Sequence, residues 1–182
     1  MIICDEFWKL KQGSLKIGDK IEIRPGLKKE KQGNMIWEPI KTQITDIKAG
    51  GKSIKEIVPG GSAGILTKLD PSIVKSDSLT GNILGKENRL PKVWYEFVLE
   101  PHLLTKAIGT KEETDVTPIK IGEPLMMNIN SAVTVGIVNK LEKNKVYVKL
   151  KLPVCASEQD RVVISRRFTN RWHLIGYCNI VK

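Results

Sequence analysis

The chain has 182 residues, room for one domain or two small ones, and carries 30 lysines and arginines against 20 aspartates and glutamates, a net charge of +10. With 41% apolar and 27% charged residues it has the composition of a folded globular protein rather than a disordered one, and its cationic excess predicts an anionic partner. No apolar run approaches the roughly 20 residues needed to span a bilayer, and the first residues lack a basic region followed by an apolar stretch, so no membrane association and a cytoplasmic location are expected. Cys4, Cys155 and Cys178 are odd in number and far apart, with no CxxC pair. That argues against a disulfide framework and a zinc ribbon; buried free thiols and no metal site are expected.

Glycine and proline punctuate the chain at short intervals, at Pro25-Gly26, Gly50-Gly51, Pro59-Gly60-Gly61, Gly81, Gly85, Pro91, Gly122, Gly136 and Pro153. Helices of ordinary length hardly fit between these breaks, whereas short runs of alternating apolar and polar residues do, which is the period-two signal of half-buried strands. Lys86 to Lys92 is the most polar break near the middle, and the strand-like Val93-Trp94-Tyr95-Glu96-Phe97 follows it, so a domain boundary is placed near Pro91, giving domains 1–91 and 92–182. Thr105 to Glu123 is the longest stretch without periodicity and reads as a loop, with room for one helical turn at Leu103 to Ile108. The clearest strand covers 145 to 152: Val146, Val148, Leu150 and Leu152 point one way, and Lys145, Tyr147, Lys149 and Lys151 form a wet basic face. In the last strand Trp172, Leu174, Gly176, Cys178 and Ile180 share one side, and Arg171, His173, Tyr177 and Asn179 the other. Many short strands with turn signals between them predict an all-β sandwich or barrel.

Charge is unevenly placed. Residues 1–91 hold 16 basic and 11 acidic residues, residues 92–160 hold 9 of each, and residues 161–182 hold 5 basic and none acidic. Arg161, Arg166, Arg167 and Arg171 make up four of the six arginines. Because a guanidinium fork suits bidentate phosphate contact, this segment is a candidate nucleic-acid surface; a solvated basic edge that blocks strand pairing is the equal alternative.

Motifs for chemistry fail on inspection. Gly13 to Lys20 looks like a phosphate loop, but Asp19 stands where lysine must follow the second glycine, no hydroxyl follows Lys20, and no helix pattern comes next. Thr67-Lys68-Leu69-Asp70 mimics a guanine-reading tetrapeptide without the phosphate loop that would give it meaning. His102 and His173 are the only imidazoles and have no hydrolase motif around them; His173 reads as a surface group beside Arg171. Pro59 to Gly64 is rich in small residues and would let a ligand or strand approach closely, although a turn is its usual role. Trp8, Trp37, Trp94 and Trp172 could stack on bases, but their apolar surroundings favour core packing.

Several blocks together carry a family resemblance: Lys16 to Gly26, Pro59 to Gly61, Leu66 to Pro71, Lys75 to Asp77, Leu79 to Gly81, Leu103-Leu104 with Gly109-Thr110, Leu125 to Ile129, Leu152 to Ala156, Asp160 to Arg167 and Arg171 to Tyr177. In order and over residues 13–182, they resemble domains two and three of the gamma subunit of translation initiation factor two, and the compact loop Gly109 to Glu123 resembles its archaeal members. Two stretches depart from the pattern. Ser62 to Leu66 stands where the family continues with a large aliphatic and Gly-Val-Gly, and Met1 to Leu10 has no family match where the first strands of domain two should lie. The first barrel is therefore expected to be incomplete or closed by foreign sequence, leaving strand edges that invite association.

The resemblance implies an all-β chain of two consecutive small β-barrels, part of a heterotrimer that carries initiator methionyl-tRNA to the small ribosomal subunit. The family's GTPase domain is absent from this sequence, so the chain is expected to be no enzyme and to bind no cofactor; GTP, magnesium and the beta subunit would belong to that domain. By likeness to elongation factor Tu, the second domain helps hold the aminoacylated tRNA end, and in this family it also docks the alpha subunit. The implied tRNA-facing residues are Arg24, Gly60, Gly61 and Gly64 in the first barrel, beside Arg161, Arg166, Arg167 and Arg171 in the second. The rival reading is a protein-interaction scaffold of the initiation complex with no direct tRNA contact.

Overall fold

The computed structural model describes residues 7–109 and 113–181, apart from the side chains of residues 7, 34 and 75–77. The chain divides between Leu90 and Pro91 into two compact units. Among the described residues the regular structure is strand throughout, apart from a 3-10 helix at Pro71–Asp77.

The first unit contains β1 (Phe7–Lys9), β2 (Leu15–Lys16), β3 (Lys20–Lys31), β4 (Asn34–Ala49), β5 (Lys52–Ser53), β6 (Glu56–Ile57), β7 (Ser62–Thr67) and β8 (Ile83–Lys86). Its main sheet runs β1-β7-β4-β3-β8, with β5 beside β4 and β2 pairing β6 in a separate ribbon. The sheet is curled and ends at β1 on one side and β8 on the other, so this barrel is not closed by strand pairing. Strand β1 comes from the stretch that departs from the family pattern, and it pairs with β7 through Phe7–Gly64 and Lys9–Ser62. Two clusters fill the interior. Leu15, Ile21, Ile44, Ile47, Ile57, Ala63 and Ile65 form one; Ile23, Ile40, Val74 and Leu79 form the other. Trp8 packs against both, and the 3-10 helix reaches the second cluster through Val74.

The second unit contains β9 (Val93–Ile108), β10 (Pro124–Ile129), β11 (Ala132–Glu142), β12 (Lys145–Cys155), β13 (Arg161–Phe168) and β14 (Arg171–Val181). These strands close a barrel in the order β10-β11-β12-β9-β14-β13. Alternation decides its contents: Leu125, Met127 and Ile129 of β10 are wholly buried while Met126 and Asn128 between them face outward. Phe97, Leu99, Val148, Val162, Ile164 and Ile175 complete the centre, each contributing about 1.5–3 kcal/mol by leaving water.

Three sequence expectations need correction. Leu103 to Ile108 forms no helical turn but extends β9, with Leu103 opposite Gly176 and Ile108 opposite Leu174. In β12 the expected alternation holds for Val146 and Val148, but Leu152 is 47% exposed, because the pairing with β9 shifts between Lys149 and Val154. In β14 the expected inward row omits Ile175, which is fully buried. Pairing shifts there between Leu174 and Gly176, and an extra residue in a strand changes which face the following side chains occupy. Gly176 is required at this point, since a Cβ would overlap the carbonyl oxygen of His102 on β9.

Candidate nucleic-acid interface

Arg24 lies near the centre of β3 and is committed to the fold. Its Nε and Nη2 donate to Glu22 Oε1 and Oε2 at 3.0 and 3.1 Å, and its Nη1 donates to the Leu90 carbonyl at 3.2 Å. Glu22 is 2% exposed and also accepts the Asn88 N–H. A buried carboxylate without its cation is costly, so the guanidinium stays with Glu22 and ties β3 to the segment leading out of the first unit. The three glycines do not form one surface either. Gly60 and Gly61 are exposed in the β6–β7 turn, with open space where a side chain would stand. Gly64 is buried inside β7, flanked by Phe7 on one side and Lys48 on the other. The register separates this end from Arg24: Ile23 faces Ile40 on β4, whereas Gly64 faces Lys48, eight residues further along the same strand.

The four arginines of β13 and β14 also separate. Arg166 is 9% exposed: it donates to Glu123, to the Thr117 carbonyl and hydroxyl oxygens at 2.9 Å, and to the Pro118 carbonyl at 3.3 Å. Every direction of its fork is used to hold the loop before β10, so the Arg166 expected to face tRNA is instead engaged within the barrel, with no donor left over for a phosphate. An open depression of about 380 Å³ lies beside it, lined by Thr117, Lys120, Ile121 and Glu123 together with Arg166 itself. Arg167 and Arg171 are exposed on either side of the β13–β14 turn; Arg167 Nη2 donates to Asn170 Oδ1 at 3.3 Å. Arg161 is exposed at the far end of β13, its guanidinium carbon 5.2 Å from the centre of the Tyr177 ring.

Among the described residues neither histidine stands beside a partner suited to hydrolysis. His173 is half-buried against Phe168, ring centres 5.8 Å apart, which corrects its reading as a surface group. His102 stacks on Tyr177 at 4.9 Å. Among the described residues no three His, Cys, Asp or Glu groups are placed to hold a metal ion. Cys155 and Cys178 are buried free thiols; Cys155 Sγ lies 3.2 Å from the Pro91 carbonyl oxygen, and burial pushes the Cys178 thiol up to about 12. Cys4 lies outside the described residues.

A further cationic element is the β11–β12 hairpin, whose lysines 140, 143, 145, 149 and 151 are all exposed. Lys140 and the Tyr147 hydroxyl both bond the Glu142 carboxylate, holding it below the usual carboxylate range. The alternation of β12 signalled its lysine face; what it could not show is that Lys140 of β11 lies opposite Tyr147 on that face.

Comparison with known proteins decides the family. Residues 95–180 match the model described as "Initiation factor eIF2 gamma, C terminal". Translation initiation factor 2 subunit gamma of Thermococcus kodakarensis is 51% identical over 166 residues, 91% of this chain and 40% of that protein. The subunit of Pyrococcus horikoshii is 49% identical over the same shares, and that of Methanothermobacter thermautotrophicus 48% identical over 92% and 41%. The chain belongs to the gamma-subunit family of translation initiation factor 2. It spans about 40% of the length of these curated relatives. The family match on residues 95–180 covers nearly all of the closed barrel, so exposed Arg161, Arg167 and Arg171 sit on the gamma family's C-terminal domain. No helix among the described residues is long and apolar enough to cross a membrane.

Proposed function

We propose that this chain acts as the tRNA- and alpha-subunit-binding barrels of a translation initiation factor that delivers initiator methionyl-tRNA to the small ribosomal subunit. The observation that carries the reading is about 50% identity to initiation factor gamma subunits over 91% of the chain. Physical chemistry supports it in outline: the net charge is +10, and Arg161, Arg167 and Arg171 present solvent-facing guanidinium groups able to grip phosphate. The chain acts by binding and has no chemistry of its own. Nucleotide handling and beta-subunit contact are not assigned to these 182 residues, in which no phosphate-loop pattern occurs. Arg24 and Arg166 contribute by rigidifying the two units and make no contact with RNA.

The test is binding of initiator and elongator tRNA at two salt concentrations, with the alpha subunit present or absent. Expected is weak, poorly selective binding whose logarithm falls with log salt by roughly 0.7–0.9 per phosphate neutralised. Replacing Arg167 and Arg171 together by alanine lowers that slope, while Arg166→Ala acts only through stability. Strong, salt-independent selectivity would contradict the reading. Tight alpha-subunit binding with no tRNA footprint would establish the scaffold role instead, the role favoured by the internal engagement of Arg24 and Arg166.

A further inference from the structure

The outside of the closed barrel carries aliphatic side chains where solvent-facing strand positions are ordinarily polar. Val133 is 53% exposed, Ile137 46%, Val163 38% and Tyr177 36%, with Met126 and Val135 half-buried between them. Single exposed apolar residues are common and need no explanation, but the strand register makes these six neighbours. Met126 lies opposite Val135, Asn128 is flanked by Val133 on one side and Val163 on the other, and Val163 lies opposite Tyr177. The result is an apolar patch that spans β11, β10, β13 and β14, with Asn128 as a polar residue within it.

Cations border it on two sides. Lys149 stands directly opposite Ile137, with Lys151 two residues on along the same face, and Arg161 lies over the Tyr177 ring at the other margin. Glu96 faces Lys149 from β9, outside the patch. We infer that this face of the second barrel docks a protein partner that presents an aliphatic centre rimmed by carboxylates. Three observations select that occupant. The patch is built chiefly of valine, isoleucine and methionine, which have no flat face for a nucleobase, so single-stranded RNA gains little there beyond the rim charges. A second copy of this chain would bring like cations face to face in a two-fold interface, because such interfaces pair a surface with itself. An acidic rim on the partner neutralises Lys149, Lys151 and Arg161 while the apolar centres exclude water.

The experiment is methyl NMR on the full chain, titrated with a synthetic amphipathic helix whose leucine stripe is flanked by glutamates. Expected are saturable shifts at the methyl groups of Val133, Val135, Ile137 and Val163. The double variant Ile137→Glu/Val163→Glu should weaken binding about tenfold or more, the loss typical of central contacts in an interface. A second variant, Lys149→Glu/Lys151→Glu, should reverse the preference toward a peptide with lysines in place of the glutamates. Both variants change exposed positions, and a melting curve like that of the parent chain verifies folding. The inference is overturned if no saturable shifts occur, or if the glutamate and lysine peptides act alike on the parent chain. It is equally overturned if anionic vesicles or tRNA perturb these methyl groups more than the acidic peptide does, or if sedimentation shows a dimer that the variants abolish.

Discussion

In the second unit each of the six barrel strands has two hydrogen-bonded neighbours, whereas in the first, β1 and β8 each have one. Both units bury alternate side chains, but only the closed barrel gathers its centre into one cluster; the open sheet divides its centre in two, with Trp8 bordering both parts. Closure removes edges and lets the strands alone define the interior. Without it, the residues beyond the strands must finish the job, as Val74 and Leu79 do between β7 and β8. The two units are alike in charge: each keeps one arginine in a paired fork, and in both cases that arginine ties a strand to the segment beside it, Arg24 to Leu90 and Arg166 to the Thr117–Pro118 loop.

The comparison can be broken first at the barrel centre. Phe97→Ala removes a ring that is 1% exposed, and the expected cost is about 3–5 kcal/mol. Denaturant unfolding followed by probes in each unit should show the transition of the second unit moving and that of the first standing still; a common shift would mean the two do not unfold independently. Next in size is Arg166→Ala, which leaves Glu123, whose side chain is 15% exposed, without its cation at a cost of about 3 kcal/mol. The pair replacement Arg166→Met with Glu123→Leu should recover most of that loss, and Glu22 with Arg24 should behave the same way in the first unit, as read by chemical denaturation.

A smaller effect appears in alkaline solution. Because burial raises the Cys178 thiol from 9.0 to about 12, the folded barrel keeps it neutral while the unfolded chain ionises it. The contribution of this group to stability is therefore complete below about pH 9 and is lost as pH rises towards 12. Barrel stability should fall over that window, and Cys178→Ser should flatten the pH dependence. Alkylation followed by mass spectrometry should find the Cys178 thiol unreactive at pH 9 in the folded chain and reactive in denaturant. The smallest effect belongs to surface pairs. Lys41 and Glu87 bond each other at 2.6 Å, which lowers the glutamate and raises the lysine; both are solvent-screened, so Lys41→Ala should leave the melting temperature of the first unit unchanged within error.

Much of the architecture was legible in the residues because strand periodicity is local. Val146 and Val148 point inward and Lys145 and Lys149 outward, as alternation alone requires. Leu152 and Ile175 were misplaced because a register shift depends on the neighbouring strand, which carries no mark in the shifted strand itself. The helical turn expected before Gly109 became strand because its backbone groups find partners outside it: Leu103 and Ile108 on β14, and Thr105 and Ala107 at Val116 and Thr114.

The candidate site was less legible. Four arginines within eleven residues looked like one surface, yet the barrel sends Arg161 to one end of β13, Arg167 and Arg171 to the other, and Arg166 into a buried pair. A guanidinium is the same group in every sequence, and whether it meets solvent or a carboxylate depends on which distant segment folds against it.

By itself, then, the order of residues determined the strand-rich class, the sign of the net charge and the family, since each depends on composition or on neighbours a few positions apart. Tertiary structure alone decided which strands end the first sheet, which cations remain available, and that outward aliphatic residues of four strands lie near one another. Those outcomes depend on pairings between strands remote in the chain, and a hydrogen-bond register has no local signature.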